Sequence, residues 1–283
     1  MRRERQSQWQ SRGVATQIVI DDPDDDRVDD FRDLKRADRR PDRPGGKGLV
    51  IAEGTIVVRR LLASPYPVRA LLGVGRRIEE LRDDLADVAC PAYVASADVM
   101  ATVVGFHLNR GVLAVADRVP RLSVTELAAS ARTIAVLEGV GDHENIGALF
   151  RNAAALDVDG VVLGAGCSDP LYRRSVRVSM GHVLRVPFAT AEEWPKALTT
   201  LRDNGFRVAA LTPRWNAVSL HEVQPTEGER IAVLLGAEGD GLTDAAIEAA
   251  DVAVRIPMAD GVDSLNVATA GAIAFYELAH RVS

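Results

Sequence analysis

Six short runs rich in β-branched and other apolar residues recur through the second half of the chain. The runs are TIAVLEGV, DGVVLG, HVLRVPFA, FRVAALT, IAVLLGAEG and VAVRIPM, with a helical pattern or a loop after each. Strands that are apolar along nearly their whole length are buried on both faces, as in a parallel sheet covered by helices. We therefore expect an α/β domain with a parallel sheet over residues 119–283.

Glycine and polar residues crowd the ends of these predicted strands. The strand-ending stretches are EGVGDHENIG, LTPRWN, LGAEGDG and IPMADGVDSLN. Parallel α/β sheets bind their ligands beyond the carboxyl ends of the strands. The functional site is therefore expected at this edge of the sheet.

A smaller α/β pattern precedes this domain, over residues 48–118. Helix and strand candidates alternate there as EGTIVVRRLLAS, VRALLGV, RRIEELRDDLA, CPAYVAS, SADVMATVVGF and GVLAVAD. Ser96 is expected to cap the third helix. Beyond this domain, Ser123 and Glu126 have the spacing of a capping box, which predicts that a connecting helix starts there.

The first 47 residues differ in composition from the rest of the chain. They are rich in Arg and Asp and end in RPDRPGGKG, which predicts a polar N-terminal extension over residues 1–47. Within it, Val28, Phe31 and Leu34 have helical spacing and favour one short helix.

Composition is that of a soluble globular protein, with 47% hydrophobic and 26% charged residues in 283. Cys90 and Cys167 match neither a zinc spacing nor a disulfide framework, and both are expected to be inert, partly buried thiols. No apolar run approaches the ~20 residues that cross a bilayer, and the N-terminus lacks a signal-peptide core. We expect a cytoplasmic protein without membrane association.

The net charge of −6 argues mildly against a polyanionic partner. Much of the acidic excess is local, however, because it is concentrated between Asp21 and Asp30. Arginines gather elsewhere, as pairs or clusters at 59–60, 76–77 and 173–177. Any one such pair is more typical of a solvated helix face than of a binding site.

Common phosphate, metal and nucleophile signatures are missing from the sequence. It contains no G-x-x-x-x-G-K-[ST], H-E-x-x-H or G-x-S-x-G, and no G-x-G-x-x-G after a strand. A standard dinucleotide site is therefore not expected. Asp142, His143 and Glu144 are consecutive loop residues, which rarely converge on one ion, so no metal site is expected.

The stretch NIGALFRNA places Asn145 and Gly147 at a predicted strand-to-helix turn, with Arg151 one helical turn further on. A guanidinium on so apolar and short a helix requires an explanation. It serves the site, extends to solvent, or pairs with a neighbouring carboxylate such as Glu144 or Asp157.

Two further loops carry polar groups among small residues. In LLGAEGDGL the glycines allow a ligand to approach the backbone next to Glu238. In IPMADGVDSLNVATAGAIAFYEL, Ser264 and Asn266 lie at the start of a long apolar helix. Taken alone, the first loop could be an ordinary turn and the second an ordinary helix cap.

Together, and in this order, the three stretches resemble motifs one, two and three of the SpoU (TrmH) family in the SPOUT superfamily, which are RNA 2′-O-ribose methyltransferases. The resemblance extends from about Thr133 to the C-terminus. The preceding domain resembles the substrate-binding domain of ribosomal-RNA members, through GLVIAEGTIVVRRLL and GFHLNRGVLAV. One departure is GDHEN, where many members have Asp-Pro before the asparagine.

This resemblance implies a C-terminal domain with a deep trefoil knot, preceded by a smaller RNA-binding α/β domain. It implies S-adenosylmethionine (AdoMet) as methyl donor, no metal, RNA as partner, and a homodimer that buries the last helix. The cofactor-binding residues that it implies are Leu211, Thr212, Gly236, Ile256, Pro257, Met258 and Leu265. The catalytic residues that it implies are Asn145, Arg151, Glu238, Ser264 and Asn266.

The family mechanism assigns the role of base to Arg151, although a guanidinium does not readily lose its proton in a protein. We favour a role for Arg151 in contacting the nucleotide's phosphate and stabilising developing alkoxide charge. The proton acceptor stays open between the phosphate, a water molecule and a transiently neutral Arg151.

The function predicted from the sequence is AdoMet-dependent methylation of a ribose 2′-hydroxyl in structured RNA, with ribosomal RNA favoured over transfer RNA. The alternative from another class is an RNA-binding or ribosome-assembly protein that keeps the fold without turnover. A nicotinamide-dependent oxidoreductase is disfavoured by the missing glycine fingerprint.

Overall fold

The computed structural model describes residues 15–32, 34, 46–223 and 225–278. The chain divides into two compact units, Met1–Arg118 and Val119–Ser283. No helix in the described part of the chain is long and apolar enough to cross a membrane.

The first unit contains a mixed five-stranded sheet in the order β1-β4-β3-β5-β2. Its strands are β1 (Gln17–Ile20), β2 (Val50–Glu53), β3 (Val68–Gly73), β4 (Ala92–Ala95) and β5 (Val112–Ala116), and its helices are α1 (Thr55–Leu62), α2 (Gly75–Glu80) and α3 (Ala97–Val104). Strands β1, β4 and β3 are parallel, whereas β5 is antiparallel to β3 and β2. As expected, Ser96 caps α3 by accepting from the backbone N–H of Val99.

The N-terminal extension predicted over residues 1–47 is wrong for part of that range. Gln17–Ile20 forms β1 and pairs in parallel with β4 at the edge of the sheet. Asp26–Phe31 forms a 3₁₀ helix, and Val28, Phe31 and Leu34 are fully buried in the core of this unit. The short helix favoured by the spacing of Val28, Phe31 and Leu34 is thus present in part, as a 3₁₀ helix over Asp26–Phe31. The strand Gln17–Ile20 was missed because it is short and lies next to a run of aspartates. Residues 1–14, 33 and 35–45 lie outside the described residues.

Strand β2 was also not expected. Val50–Glu53 is completely buried and is followed after one residue by α1, which begins at Thr55. Gly54 separates them with a φ of 88°, a conformation that favours glycine. Because only one residue separates the strand from the helix, the two elements look like one continuous apolar stretch in the sequence.

The second unit contains a seven-stranded sheet in the order β10-β12-β9-β11-β6-β7-β8. Its strands are β6 (Thr133–Leu137), β7 (Gly160–Leu163), β8 (Phe188–Thr190), β9 (Phe206–Leu211), β10 (Val218–Ser219), β11 (Arg230–Leu235) and β12 (Val252–Arg255). All of the pairings are parallel, which confirms the predicted parallel α/β class.

The described part of this unit contains the helices α4 (Val124–Ser130), α5 (His143–Ala155), α6 (Arg173–Val178), α7 (Lys196–Asp203), α8 (Asp244–Glu248) and α9 (Val267–Leu278). The capping box at the start of α4 is present, with Ser123 and Glu126 bonding each other's backbone. The apolar stretch HVLRVPFA is not one strand, because His182–Leu184 forms a 3₁₀ turn and only Phe188–Thr190 joins the sheet.

Helices α5 and α9 pack against each other at very short range. A Cβ atom on Gly271 of α9 would lie 2.7 Å from Cδ2 of Leu149 in α5. The Asn152 side chain of α5 donates a hydrogen bond of 2.8 Å to the carbonyl of Ala268 in α9. Since these helices carry the first and third motifs, their contact brings the two motifs together.

Candidate functional site

A cavity of about 380 Å³ lies at the carboxyl ends of β9, β11 and β12. Three loops form its walls, one after each of these strands. The lining residues are Leu211, Thr212, Pro213, Leu235, Gly236, Ala237, Glu238, Gly239, Gly241, Leu242, Ile256, Met258, Ser264, Leu265, Asn266, Val267 and Ala270. A cavity of this size suits a small organic ligand.

Most of the residues predicted to bind a cofactor line this cavity: Leu211, Thr212, Gly236, Ile256, Met258 and Leu265. Pro257 is not among the lining residues and is exposed. The walls are largely apolar side chains and loop backbone, with Thr212 buried at the end of β9.

Asn266 connects the three predicted motifs. Its side-chain nitrogen donates to Oδ1 of Asn145 at 2.9 Å and to Oε1 of Glu238 at 2.6 Å. Its side-chain oxygen accepts from the backbone N–H groups of Ala268 and Thr269, at 3.0 and 3.2 Å. Asn266 therefore caps α9 and, with the other end of the same amide, joins the first and second motifs at the edge of the cavity.

The polar group at this edge is partly open to solvent. Glu238, Ser264 and Asn266 are exposed and line the cavity, whereas Asn145 is half-buried and reaches it through Asn266. The Ser264 side chain forms no hydrogen bond within the described residues. Solvent access leaves room for a second, larger substrate next to the cavity.

The first motif differs in detail from the expected turn. Helix α5 already begins at His143, capped by Asp142, so Asn145 lies in its first turn and Gly147 lies inside the helix. A Cβ atom on Gly147 would lie 2.8 Å from the carbonyl oxygen of Ser175 in α6. Gly147 thus allows close packing of α5 on α6 and does not shape a turn.

Arg151 is exposed on α5 and does not line the cavity. Its guanidinium forms no hydrogen bond or ion pair with the part of the chain that the structure describes. Glu144, one of the carboxylates considered as its partner, instead pairs with Arg174 at 2.6 Å. Arg151 is therefore not tied to either carboxylate considered from the sequence.

The side chain of His143 packs against Tyr172 and does not line the cavity. Its ring lies 4.3 Å from that of Tyr172, centroid to centroid, and burial lowers its pKa below the usual histidine value. Within the described residues, no group of three or more His, Cys, Asp or Glu side chains is arranged to hold a metal ion. Burial raises the thiol pKa of both Cys90 and Cys167 to about 11.

The glycine-rich loop after β11 has a tight geometry that the sequence only partly indicated. A Cβ atom on Gly236 would lie 2.4 Å from the carbonyl carbon of Gly241. The N–H of Gly241 also donates to the carbonyl of Ala237 at 3.2 Å. The loop therefore folds back on itself and presents Glu238 at its tip.

One residue that sequence reasoning missed is Glu138, directly after β6. Only 5% of its surface is exposed. Its carboxylate accepts hydrogen bonds from Nε1 of Trp194 at 2.5 Å and from the hydroxyl and N–H of Thr243, at 2.8 and 2.9 Å. Its sequence context, LEGVG, resembles an ordinary strand end and gives no signal of this network.

The sheet, the cavity at its carboxyl edge and the polar group beside it define an α/β domain that binds a small ligand next to an open surface. Comparison with known proteins identifies the family. The model of the SpoU rRNA methylase family matches residues 132–276. An uncharacterized tRNA/rRNA methyltransferase of Mycobacterium tuberculosis is 64% identical over 266 residues, which cover 94% of this chain and 92% of the relative. The chain belongs to the SpoU rRNA methylase family, as its three motifs predicted.

Two solved structures share the fold. An AdoMet-bound rRNA methyltransferase from Sinorhizobium meliloti matches with a TM-score of 0.78 at 23% identity, over 94% of this chain and 99% of that chain. An RNA 2′-O ribose methyltransferase matches with a TM-score of 0.70 at 22% identity, over 93% of this chain and 99% of that chain.

Proposed function

We propose that this protein transfers a methyl group from AdoMet to a ribose 2′-hydroxyl in structured RNA, with ribosomal RNA as the favoured substrate. The main support for this proposal is the pair of hydrogen bonds that Asn266 donates to Asn145 and Glu238 at the edge of a cavity of cofactor size. Membership of an rRNA methylase family supports the RNA substrate.

The cavity fits AdoMet in its chemistry. Apolar walls from Leu211, Leu242 and Met258 suit an adenine ring, and the loop backbone supplies donors and acceptors for its polar edges. The solved AdoMet-bound relative in fold supports this assignment. When bound, AdoMet supplies an electrophilic methyl group on a sulfonium centre. By analogy with the family, the loops that hold it are proposed to belong to a deep trefoil knot that ends in α9.

The polar group is proposed to orient the ribose. Attack by a 2′-oxygen requires the hydroxyl to be aligned and its proton to be removed. Ser264 and Asn145 present hydrogen-bonding groups to that hydroxyl, and Glu238 fixes the amide of Asn266. Arg151 is proposed to contact the RNA phosphate and stabilise developing negative charge, as its exposed guanidinium, which pairs with none of the described residues, allows.

The first unit is proposed to select the RNA. The arginines of this unit differ in their availability to RNA. Arg59 is bound to Asp84 at 2.9 Å and to the carbonyl of Glu80, so its charge is partly neutralised. Arg110 is exposed and packs over Gly54, where it remains accessible to a phosphate group.

The functional form is proposed to be a homodimer that buries part of α9. This helix is apolar on more than its inward face, because Ala272 and Ile273 are half-buried and Tyr276 is 59% exposed. A second copy that covers these residues would remove apolar surface from water.

Two measurements test the proposed function. Calorimetry should detect AdoMet binding by the purified protein, and labelled methyl groups should be incorporated into RNA from cells that lack the gene. Binding without incorporation into any RNA would favour the alternative of a non-catalytic RNA-binding protein. No binding of AdoMet would refute the proposal.

A further inference from the structure

The buried carboxylate of Glu138 sits among three elements that are distant in sequence. It follows β6, accepts from Trp194 before α7, and accepts from Thr243 before α8. Its own N–H donates to the carbonyl of Leu235 at the end of β11, at 2.9 Å. Glu138 thus connects the ends of the neighbouring strands β6 and β11, and it also binds the far end of the loop that follows β11.

The arrangement matches an ionised carboxylate, which only accepts hydrogen bonds. All three side-chain contacts come from donors, and both carboxylate oxygens are used. Burying such a group is costly unless it is fully hydrogen-bonded, and packed apolar residues often serve stability equally well. A network of this kind therefore does more to fix the geometry of its partners than to stabilise the fold.

The Glu138 network is connected to the cavity through the loop over residues 236–242, which ends at Thr243. This loop lines the cavity, and Glu238 at its tip binds Asn266 at 2.6 Å. The start of the loop is fixed by the contact between Gly236 and Gly241. Its end is fixed by Thr243, which bonds Glu138 through both its hydroxyl and its N–H and also caps α8.

We propose that Glu138 is a positioning residue for the methyl-transfer site: through Thr243 it holds the loop that forms one wall of the cavity and carries Glu238. This inference rests on the proposed function in one respect, the identity of the ligand as AdoMet. Glu138 itself does not line the cavity and acts only through the loop.

The test uses the full-length protein with Glu138→Gln. A glutamine keeps the shape, but its NH₂ group must face either the N–H of Thr243 or the donors on the other oxygen, so at least one bond becomes a donor–donor contact. Thr243→Ser keeps all three bonds. Asp159→Asn is a control at an exposed carboxylate remote from the cavity, because Oδ2 of Asp159 accepts from the N–H groups of Arg132 and Thr133 at the opposite, amino end of β6.

Calorimetry well below the unfolding temperature should show an AdoMet Kd raised at least fivefold in Glu138→Gln. Thr243→Ser and Asp159→Asn should stay within twofold of wild type. Hydrogen exchange should increase in peptides covering residues 236–243 of Glu138→Gln, but not in those covering β7 or α4. A merely structural role would lower the melting temperature of Glu138→Gln without this local pattern.

A Kd change below fivefold in Glu138→Gln, or an equal change in Asp159→Asn, would overturn the inference. If the wild-type protein itself binds no AdoMet, the proposed function fails instead. The exchange comparison then still decides whether Glu138 anchors the loop, because it requires no ligand.

Discussion

Variants of Asn266 can distinguish a loss of stability from a loss of activity, because the oxygen and the nitrogen of its side-chain amide have different partners. The oxygen caps α9, and the nitrogen joins Asn145 and Glu238. Asn266→Asp keeps an oxygen for the helix cap, and aspartate is as good a cap as asparagine. It removes both donated bonds and adds a negative charge beside Glu238. Asn266→Ala removes the cap and the bridge together.

The expected energies differ between these two variants. Loss of an N-cap costs ~1 kcal/mol, and each exposed hydrogen bond contributes ~0.5–1.5 kcal/mol. Asn266→Ala should therefore lower the melting temperature, at about 2–4 °C for each kcal/mol in a domain of this size. Asn266→Asp should lie closer to wild type, since the retained cap offsets part of the loss. Both should lose methyl transfer by ~10²-fold or more, as when other positioned donors are removed.

Single-turnover methyl transfer and thermal unfolding, measured on the same preparations, provide the assay. The control is Ser123→Ala, which removes the cap of α4 and should cost stability without affecting the rate. A transfer rate within threefold of wild type for Asn266→Asp would refute the reasoning, because the bridge would then be irrelevant to the reaction.

Three further predictions concern Arg151, the first unit and the oligomeric state. Arg151→Ala should reduce single-turnover methyl transfer ~10²-fold or more while the affinity for AdoMet stays nearly unchanged. Arg151→Lys should also lose methyl transfer, because an ammonium group lacks the planar, two-pronged geometry of a guanidinium; rates near wild type for both variants would exclude Arg151 from the mechanism. A fragment beginning near Pro120 should bind AdoMet normally but RNA weakly in calorimetric titrations, and undiminished RNA affinity would refute the proposed role of the first unit. Sedimentation should show a dimer at micromolar concentration, and a stable monomer would contradict the proposed burial of α9.

The parallel sheet was predictable because its strands are buried on both faces. Every residue of β6 and β7 is buried, so each strand is a continuous apolar run in the sequence. Ser123 and Glu126 likewise form the predicted capping box, because that motif depends only on local spacing. The first sheet was harder to predict, since β1 is a four-residue edge strand next to an acidic run and β2 runs almost directly into a helix.

The site could be predicted only in part, because its geometry depends on hydrogen bonds between residues that are far apart in the sequence. The motifs carrying Asn145, Glu238 and Asn266 were recognisable, but the bridge between them joins residues up to 121 positions apart. The network around Glu138 spans 105 positions to Thr243 and has no local pattern at all. The sequence could not decide whether Arg151 pairs with a neighbouring carboxylate. In the described residues Glu144 pairs with Arg174 instead.

The activity that we propose for this protein is methylation of a ribose 2′-hydroxyl in RNA. The most direct test is to incubate the purified protein and AdoMet with RNA from cells that lack the gene, and then to map ribose methylation at nucleotide resolution. We expect one new 2′-O-methyl group at a defined position in a structured RNA, and we expect it to be absent when the Asn266→Asp variant is used. A methyl group on a base would contradict the proposed activity. So would the absence of methyl incorporation when the protein binds both the RNA and AdoMet.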